Sequence, residues 1–209
     1  VYKKLSDSDF TAQFITDDAN VIKINLAAKA EDGSLVGFAN GCIKRGVDIG
    51  YITFILVDAP YRRQGIARKL LTELETALDL AAPLSKYQIM FFNPIALTWI
   101  VPGTPGHDHP NAPGIDVASD AYLFFKNNGY LDNVFQNSFY LPLANFQIKP
   151  DVQARIDALS QHALSICFYD PKKHFGMKEL FDDLGSEDWK EIVLGNIARE
   201  DGGDPVIIA

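Results

Sequence analysis

Between Tyr51 and Leu80 the spacing of apolar residues changes character across Asp58 to Gln64, and that change constrains the fold more than any other stretch of the chain. Tyr51 to Val57 is a near-continuous aromatic and β-branched run, the pattern of a strand buried on both faces. From Gly65 onward Ile66, Leu70, Leu71, Leu74, Ala77 and Leu78 fall at helical spacing, and Pro83 closes the pattern. Gly65 and Ala67 keep bulky side chains out of the first helical turn, so a ligand can approach the unpaired N–H groups there. Those donors, the helix dipole and the guanidinium groups of Arg62, Arg63 and Arg68 suit an anion, most naturally a pyrophosphate. An ordinary strand-to-helix turn with solvated arginines fits the same residues.

Composition narrows the function classes. The chain has 209 residues, 47% hydrophobic and 22% charged, which is enough apolar material for a core. The net charge of −8 argues against a general nucleic-acid binder. It is unevenly spread: residues 1–150 hold 13 basic and 15 acidic side chains, and residues 151–209 hold 6 and 12. Arg62 and Arg63 therefore stand out locally. Cys42 and Cys167 are too few and too distant for a disulfide framework or a zinc site, and they read as thiols of a reducing compartment. With neither a signal peptide nor an apolar run near the ~20 residues that span a bilayer, the reading is a cytoplasmic protein with no membrane partner.

VDAPYRRQGIARKLL resembles the acetyl-coenzyme A binding motif of the Gcn5-related N-acetyltransferase (GNAT) superfamily: Arg or Gln, two residues, Gly, one residue, then Gly or Ala. A second motif of that family, a helix ending in an aromatic pair and a glycine turn, is matched by Ala121 to Tyr130 (AYLFFKNNGY). The resemblance implies an α/β (α+β) fold, a mixed and mostly antiparallel sheet flanked by helices, with two splayed central parallel strands. It also implies transfer of an acetyl group from acetyl-CoA to a small-molecule or peptide amine by direct attack in a ternary complex. A non-catalytic acyl-CoA-binding module is the alternative.

Along the chain, Leu5 to Ile15 reads as a helix opened by a Ser or Asp cap. The family's fold places a strand and a helix before it, so the first domain, residues 1–146, is expected to lack its start. Val21 to Ala28 and Leu35 to Lys44 read as strands joined by a turn at Glu31-Asp32-Gly33, leading antiparallel into the central strand. Tyr87 to Phe92 returns parallel to it after the helix. Pro94 to Asp116 is a long Pro- and Gly-rich loop, a candidate for acceptor selectivity. It contains His107-Asp108-His109, for which a polar surface is the expected role and a metal the minor alternative. Asp116 to Asn128 reads as a helix and Val134 to Leu143 as the closing strand.

Residues 147–209 read as a linker followed by helix, strand, helix, helix and the beginning of a strand, the opening order of a second and truncated domain of the same kind. A weak internal match pairs Leu5 with Leu184, Asp9 with Asp188 and Phe10 with Trp189. A helical extension that packs on the first domain or mediates a homodimer is the alternative.

Carried over from the family, the backbone of Leu56 and Val57 would bond the pantetheine and the thioester carbonyl. The N–H groups of Arg62, Arg63, Gln64, Gly65, Ile66 and Ala67 would hold the pyrophosphate. Asn93 either bonds the pantetheine or only ends its strand. Phe125 stands where many relatives carry a tyrosine acid, and a phenyl ring donates no proton. Tyr122, three residues earlier, either substitutes or packs. Asp58 either accepts the amine proton through water or caps the turn.

Overall fold

The computed structural model describes residues 2–91, 93–101, 103–104, 106–109, 112, 114–160, 165–201 and 203–208, without the side chains of residues 160 and 188. It divides into two units, Val1–Leu141 and Pro142–Ala209.

In the first unit, β1 (Val21–Lys29), β2 (Leu35–Lys44) and β3 (Ile49–Val57) form an antiparallel meander, and β4 (Lys86–Gln88) adds parallel to β3. This is an α/β fold with a mostly antiparallel sheet flanked by helices. Helix α2 (Ile66–Ala81) carries the chain from β3 to β4 and buries Leu70, Leu71, Leu74 and Leu78 on the sheet. They meet Ala39, Ile43, Ile52 and Phe125 in one core cluster, while Ile55 and Val57 pack at its margin. The opposite sheet face is covered by α1 (Asp7–Phe10) and a following π-helical segment, Thr11–Ile15, through Phe14. Ser6 caps α1 by accepting the Asp9 N–H. Tyr51 and Ile52 are both buried, one in each cluster, as a strand covered on both faces requires.

One irregularity positions the site. The β2–β3 register shifts between Asn40 and Gly41, so Asn40 pairs with Phe54 and Gly41 with Ile52, leaving Thr53 as the extra residue of a bulge. Pairing of β3 with β4 ends at Tyr51 and Gln88. Past the bulge, β3 runs on without a parallel neighbour among the described residues, so the two central strands part and leave an open edge.

Four readings change. The strand expected over Tyr87 to Phe92 is only Lys86–Gln88, and Phe92 lies outside the described residues. The loop after it is not wholly irregular: β5 (Trp99–Ile100) pairs antiparallel with β6 (Asp108–His109), and Lys3 Nζ meets Asp108 Oδ2 at 2.6 Å. Helix α3 covers Asp120–Asn127, shorter than Asp116 to Asn128, and Ser119 caps it. Val134 to Leu143 is in no strand. Its β-branched and aromatic residues suit a pleated, half-buried surface, but among the described residues no ladder is made with it.

The second unit contains α4 (Pro150–Ser160), β7 (Cys167–Phe168), α5 (Met177–Leu184), α6 (Glu187–Ile197) and β8 (Ile207–Ile208), with β7 antiparallel to β8. Phe181 of α5 is buried, and Lys190 of α6 bridges to Asp182 at 2.5 Å. No helix among the described residues is long and apolar enough to cross a membrane.

Candidate acyl-coenzyme A site

The turn between β3 and α2 is shaped by its own side chains. Asp58 accepts the Ala59 N–H at 2.9 Å and so caps the 3-10 turn Ala59–Tyr61. Arg62 Nε donates to the Val57 carbonyl at 2.9 Å, and Gln64 Nε2 to the Pro60 carbonyl at 3.1 Å. Arg63 and Gly65 both take left-handed backbone, at φ 63° and 85°. Left-handed residues within a tight turn are the kind of backbone from which successive N–H groups can form an anion-receiving concavity.

Gly65 is the N-cap of α2 and its carbonyl accepts the Lys69 N–H at 3.0 Å. The N–H groups of Ile66, Ala67 and Arg68 precede that bond and have no acceptor within the helix. A Cβ built on Gly65 would meet nothing within 4 Å. The glycine therefore serves the left-handed backbone and keeps the approach open. Arg62, Arg63, Gln64 and Arg68 are exposed around it. Open donors, an unobstructed cap and three guanidinium groups fit a pyrophosphate.

Strand alternation decides which main-chain groups face the open edge. Asp58 N–H donates to the Val36 carbonyl at 2.9 Å, and Phe38 pairs with Leu56. The N–H and C=O of Leu56 therefore lie on the β2 side, and those of Ile55 and Val57 on the open side. Leu56 and Val57 thus present their backbones to opposite edges.

The other predicted residues are placed as follows. Asn93 Oδ1 accepts the Ile95 N–H at 2.9 Å and the Cys42 thiol at 3.4 Å, and Asn93 Nδ2 donates to Thr53 Oγ1 at 3.4 Å. Its amide joins a polar cluster beside the bulge. Tyr122 donates to Asp132 at 3.1 Å, and Lys126 meets the same carboxylate at 3.0 Å. Phe125 is buried in the core, edge-on to Phe124 and Tyr130 with ring centroids 5.1 Å away in each case. The His107 ring lies tilted against that of Tyr140, centroids 5.2 Å apart, and the His109 ring against that of Phe91 at 5.7 Å. Among the described residues no group of three or more His, Cys, Asp or Glu gathers as a metal site.

Sequence reasoning missed the Cys42, Thr53 and Asn93 cluster. A thiol and a hydroxyl in strands read as core, and the bulge that brings Thr53 beside Asn93 has no local signature. Burial pushes the Cys42 thiol up to about 12, so it is protonated at neutral pH.

Residues 3–87 match the model of the acetyltransferase (GNAT) family. No curated protein sequence matches the chain. Among solved structures, a GCN5-related glucosamine N-acetyltransferase region of a fungal multi-domain beta-N-acetylglucosaminidase aligns over 88% of this chain and 20% of its own, at 15% identity and a TM-score of 0.54. A proposed acetyl transferase from Pyrococcus furiosus aligns over 64% and 71%, at 17% identity and a TM-score of 0.43. An aminoglycoside antibiotic 6'-N-acetyltransferase from Acinetobacter baumannii aligns over 68% and 84%, at 16% identity and 0.40. Identities this low speak to fold alone. The sheet that parts at the bulge and the open helix cap beside it both lie within the residues that match the acetyltransferase (GNAT) family model.

Proposed function

We propose that the chain transfers an acetyl group from acetyl-CoA to an amine by direct attack in a ternary complex. The observation that carries this reading is the Gly65 cap, left-handed and open, at the foot of the β3 edge that β4 leaves free. When bound, the cosubstrate supplies an activated thioester. The N–H groups of Ile66, Ala67 and Arg68 would hold its pyrophosphate, and the outward backbone of Ile55 and Val57 its pantetheine.

Direct attack is supported by Cys42, the thiol of β2 beside Thr53 and Asn93. It is buried and held protonated, so it makes a poor acyl carrier. The amine must lose a proton, and Asp58 is the carboxylate at the end of β3. Its bond to the Ala59 N–H favours the capping role, with proton transfer through water to solvent. The leaving thiolate carries an ordinary thiol's affinity for protons, about 8.5, so solvent can reprotonate it.

Thermal unfolding with coenzyme A tests the reading, because a ligand of the native state raises the melting temperature. A rise is expected for the wild-type chain and none for Gly65→Glu; equal responses would remove the site from this turn. The second reading, an acyl-CoA-binding module without turnover, is favoured by Phe125 in the core and by the engagement of Tyr122 with Asp132. Sustained thiol release with any amine rules it out. For the second unit, the order helix, strand, helix, helix, strand supports the opening portion of a further domain of this kind.

A further inference from the structure

Resting on that reading, we propose that the acceptor is an amine with an apolar aromatic body, an arylalkylamine, and not a polyamine or an amino sugar. Helices α2 and α3 take the face of the sheet that carries Ile52, Ile55 and Val57. An acceptor must therefore reach the open edge from the other face. There the side chains beside the open part of β3 are Phe54, Leu56 and, across the β2 pairing, Phe38.

Four phenyl rings form a closed circuit on that face. Their centroids are 5.1 Å apart for Phe10 and Phe14, 5.3 Å for Phe14 and Phe54, 5.7 Å for Phe54 and Phe38, and 5.9 Å for Phe38 and Phe10. Phe14 is sealed at 1% exposure, but Phe10, Phe38 and Phe54 are only part-buried, and Leu56 is 54% exposed. The circuit is thus sealed at Phe14 and partly exposed at its other three rings, next to the exposed Leu56 of β3. Edge-to-face and offset contacts let such a surface extend by one more ring.

β1, β2 and β3 contain no Asp or Glu, and the carboxylates near this face lie beyond the strands: Asp58 after β3, and Asp17 and Asp18 lining the cavity beside Phe14 and Lys23. Lys23, on this face, is itself cationic and donates to the Thr16 carbonyl at 2.9 Å. The acidic residues of α1, Asp7 and Asp9, are exposed, and Asp9 accepts the Ser6 hydroxyl at 2.6 Å. The circuit of Phe10, Phe14, Phe38 and Phe54 carries no carboxylate of its own, so a polyamine's second charge would find none among the rings, and an amino sugar would bring hydroxyls to them.

The test uses the full chain with acetyl-CoA and three amines: 2-phenylethylamine, spermidine and glucosamine. Thiol release gives kcat/KM, and calorimetry in the presence of coenzyme A gives binding. A preference of at least tenfold for 2-phenylethylamine is expected. Phe38→Leu and, separately, Phe10→Ala are expected to raise its KM at least fivefold while the coenzyme A thermal shift stays as in the parent. Preference for spermidine or glucosamine, unchanged KM in both variants, or no binding of 2-phenylethylamine to the coenzyme A complex overturns the proposal. Absence of any coenzyme A shift in the parent instead overturns the acetyl-transfer reading on which it rests.

Discussion

The Arg62 guanidinium is tied back to the strand it follows, its Nε donating to the Val57 carbonyl at 2.9 Å. That bond occupies the outward carbonyl at the end of β3 and leaves the terminal nitrogens of the side chain for an anion. Arg62→Ala should therefore act twice, freeing the carbonyl and removing a charge-assisted donor. Coenzyme A affinity measured by calorimetry is expected to fall about tenfold, the scale of one hydrogen bond to a charged group. Unchanged affinity would mean that Arg62 only fastens the turn.

Gly65→Ala separates conformation from space. The added methyl meets nothing within 4 Å, so any loss of stability is backbone strain at φ 85°. Left-handed backbone costs an L-residue roughly 1–2 kcal/mol, and urea unfolding should show a loss of that size. Coenzyme A should still stabilise this variant, because a methyl group leaves most of the approach open.

What could be read in the sequence follows what is local. β2 was bounded correctly by its apolar run, and α2 by a glycine start and a proline after its end, since periodicity and caps lie within a few residues. The turn itself was legible for the same reason: Arg63, Gly65 and the first turn of α2 are contiguous. The bulge at Thr53 was not, because it exists only in the pairing of β2 with β3. The aromatic circuit was equally hidden, since Phe10, Phe38 and Phe54 meet only after the sheet is built. Val134 to Leu143 shows the opposite failure, where strand propensity found no ladder among the described residues.

Leu74 tests the core that supports the cradle. It is fully buried between α2 and the sheet, and a Cβ added at Gly41 opposite it would come within 3.3 Å of Leu74 Cδ1. Leu74→Ala should cost about 2–5 kcal/mol through lost burial and a cavity, seen as a lower urea midpoint. A much smaller cost would place the packing of α2 elsewhere.

Phe125→Tyr asks whether the missing acid is missing for steric reasons. The ring is enclosed edge-on by Phe124 and Tyr130, with 8% of the residue exposed. A hydroxyl introduced there enters the core, and its desolvation should cost about 1–3 kcal/mol. The expected result is a lower melting temperature with no gain in thiol release. A rise in kcat accompanied by a new alkaline limb in the pH profile would show instead that the position reaches the leaving sulfur.

Tyr130 links the end of α3 to α2, its hydroxyl donating to Glu75 Oε1 at 2.7 Å. Burial pushes the phenol above its ordinary value of 10.0, and the bond to the Glu75 carboxylate adds to the rise. A raised native value means that the folded chain holds this proton more tightly than the unfolded chain. The stabilisation is therefore complete below pH 10.0 and is lost as the pH rises above it toward the native value. Denaturant unfolding between pH 8 and 11, a range of about three units, should show stability that holds and then declines. Tyr130→Phe should start lower at neutral pH, having lost the bond, and decline less steeply in the alkaline range. Parallel curves for the two proteins would assign the alkaline loss to other groups.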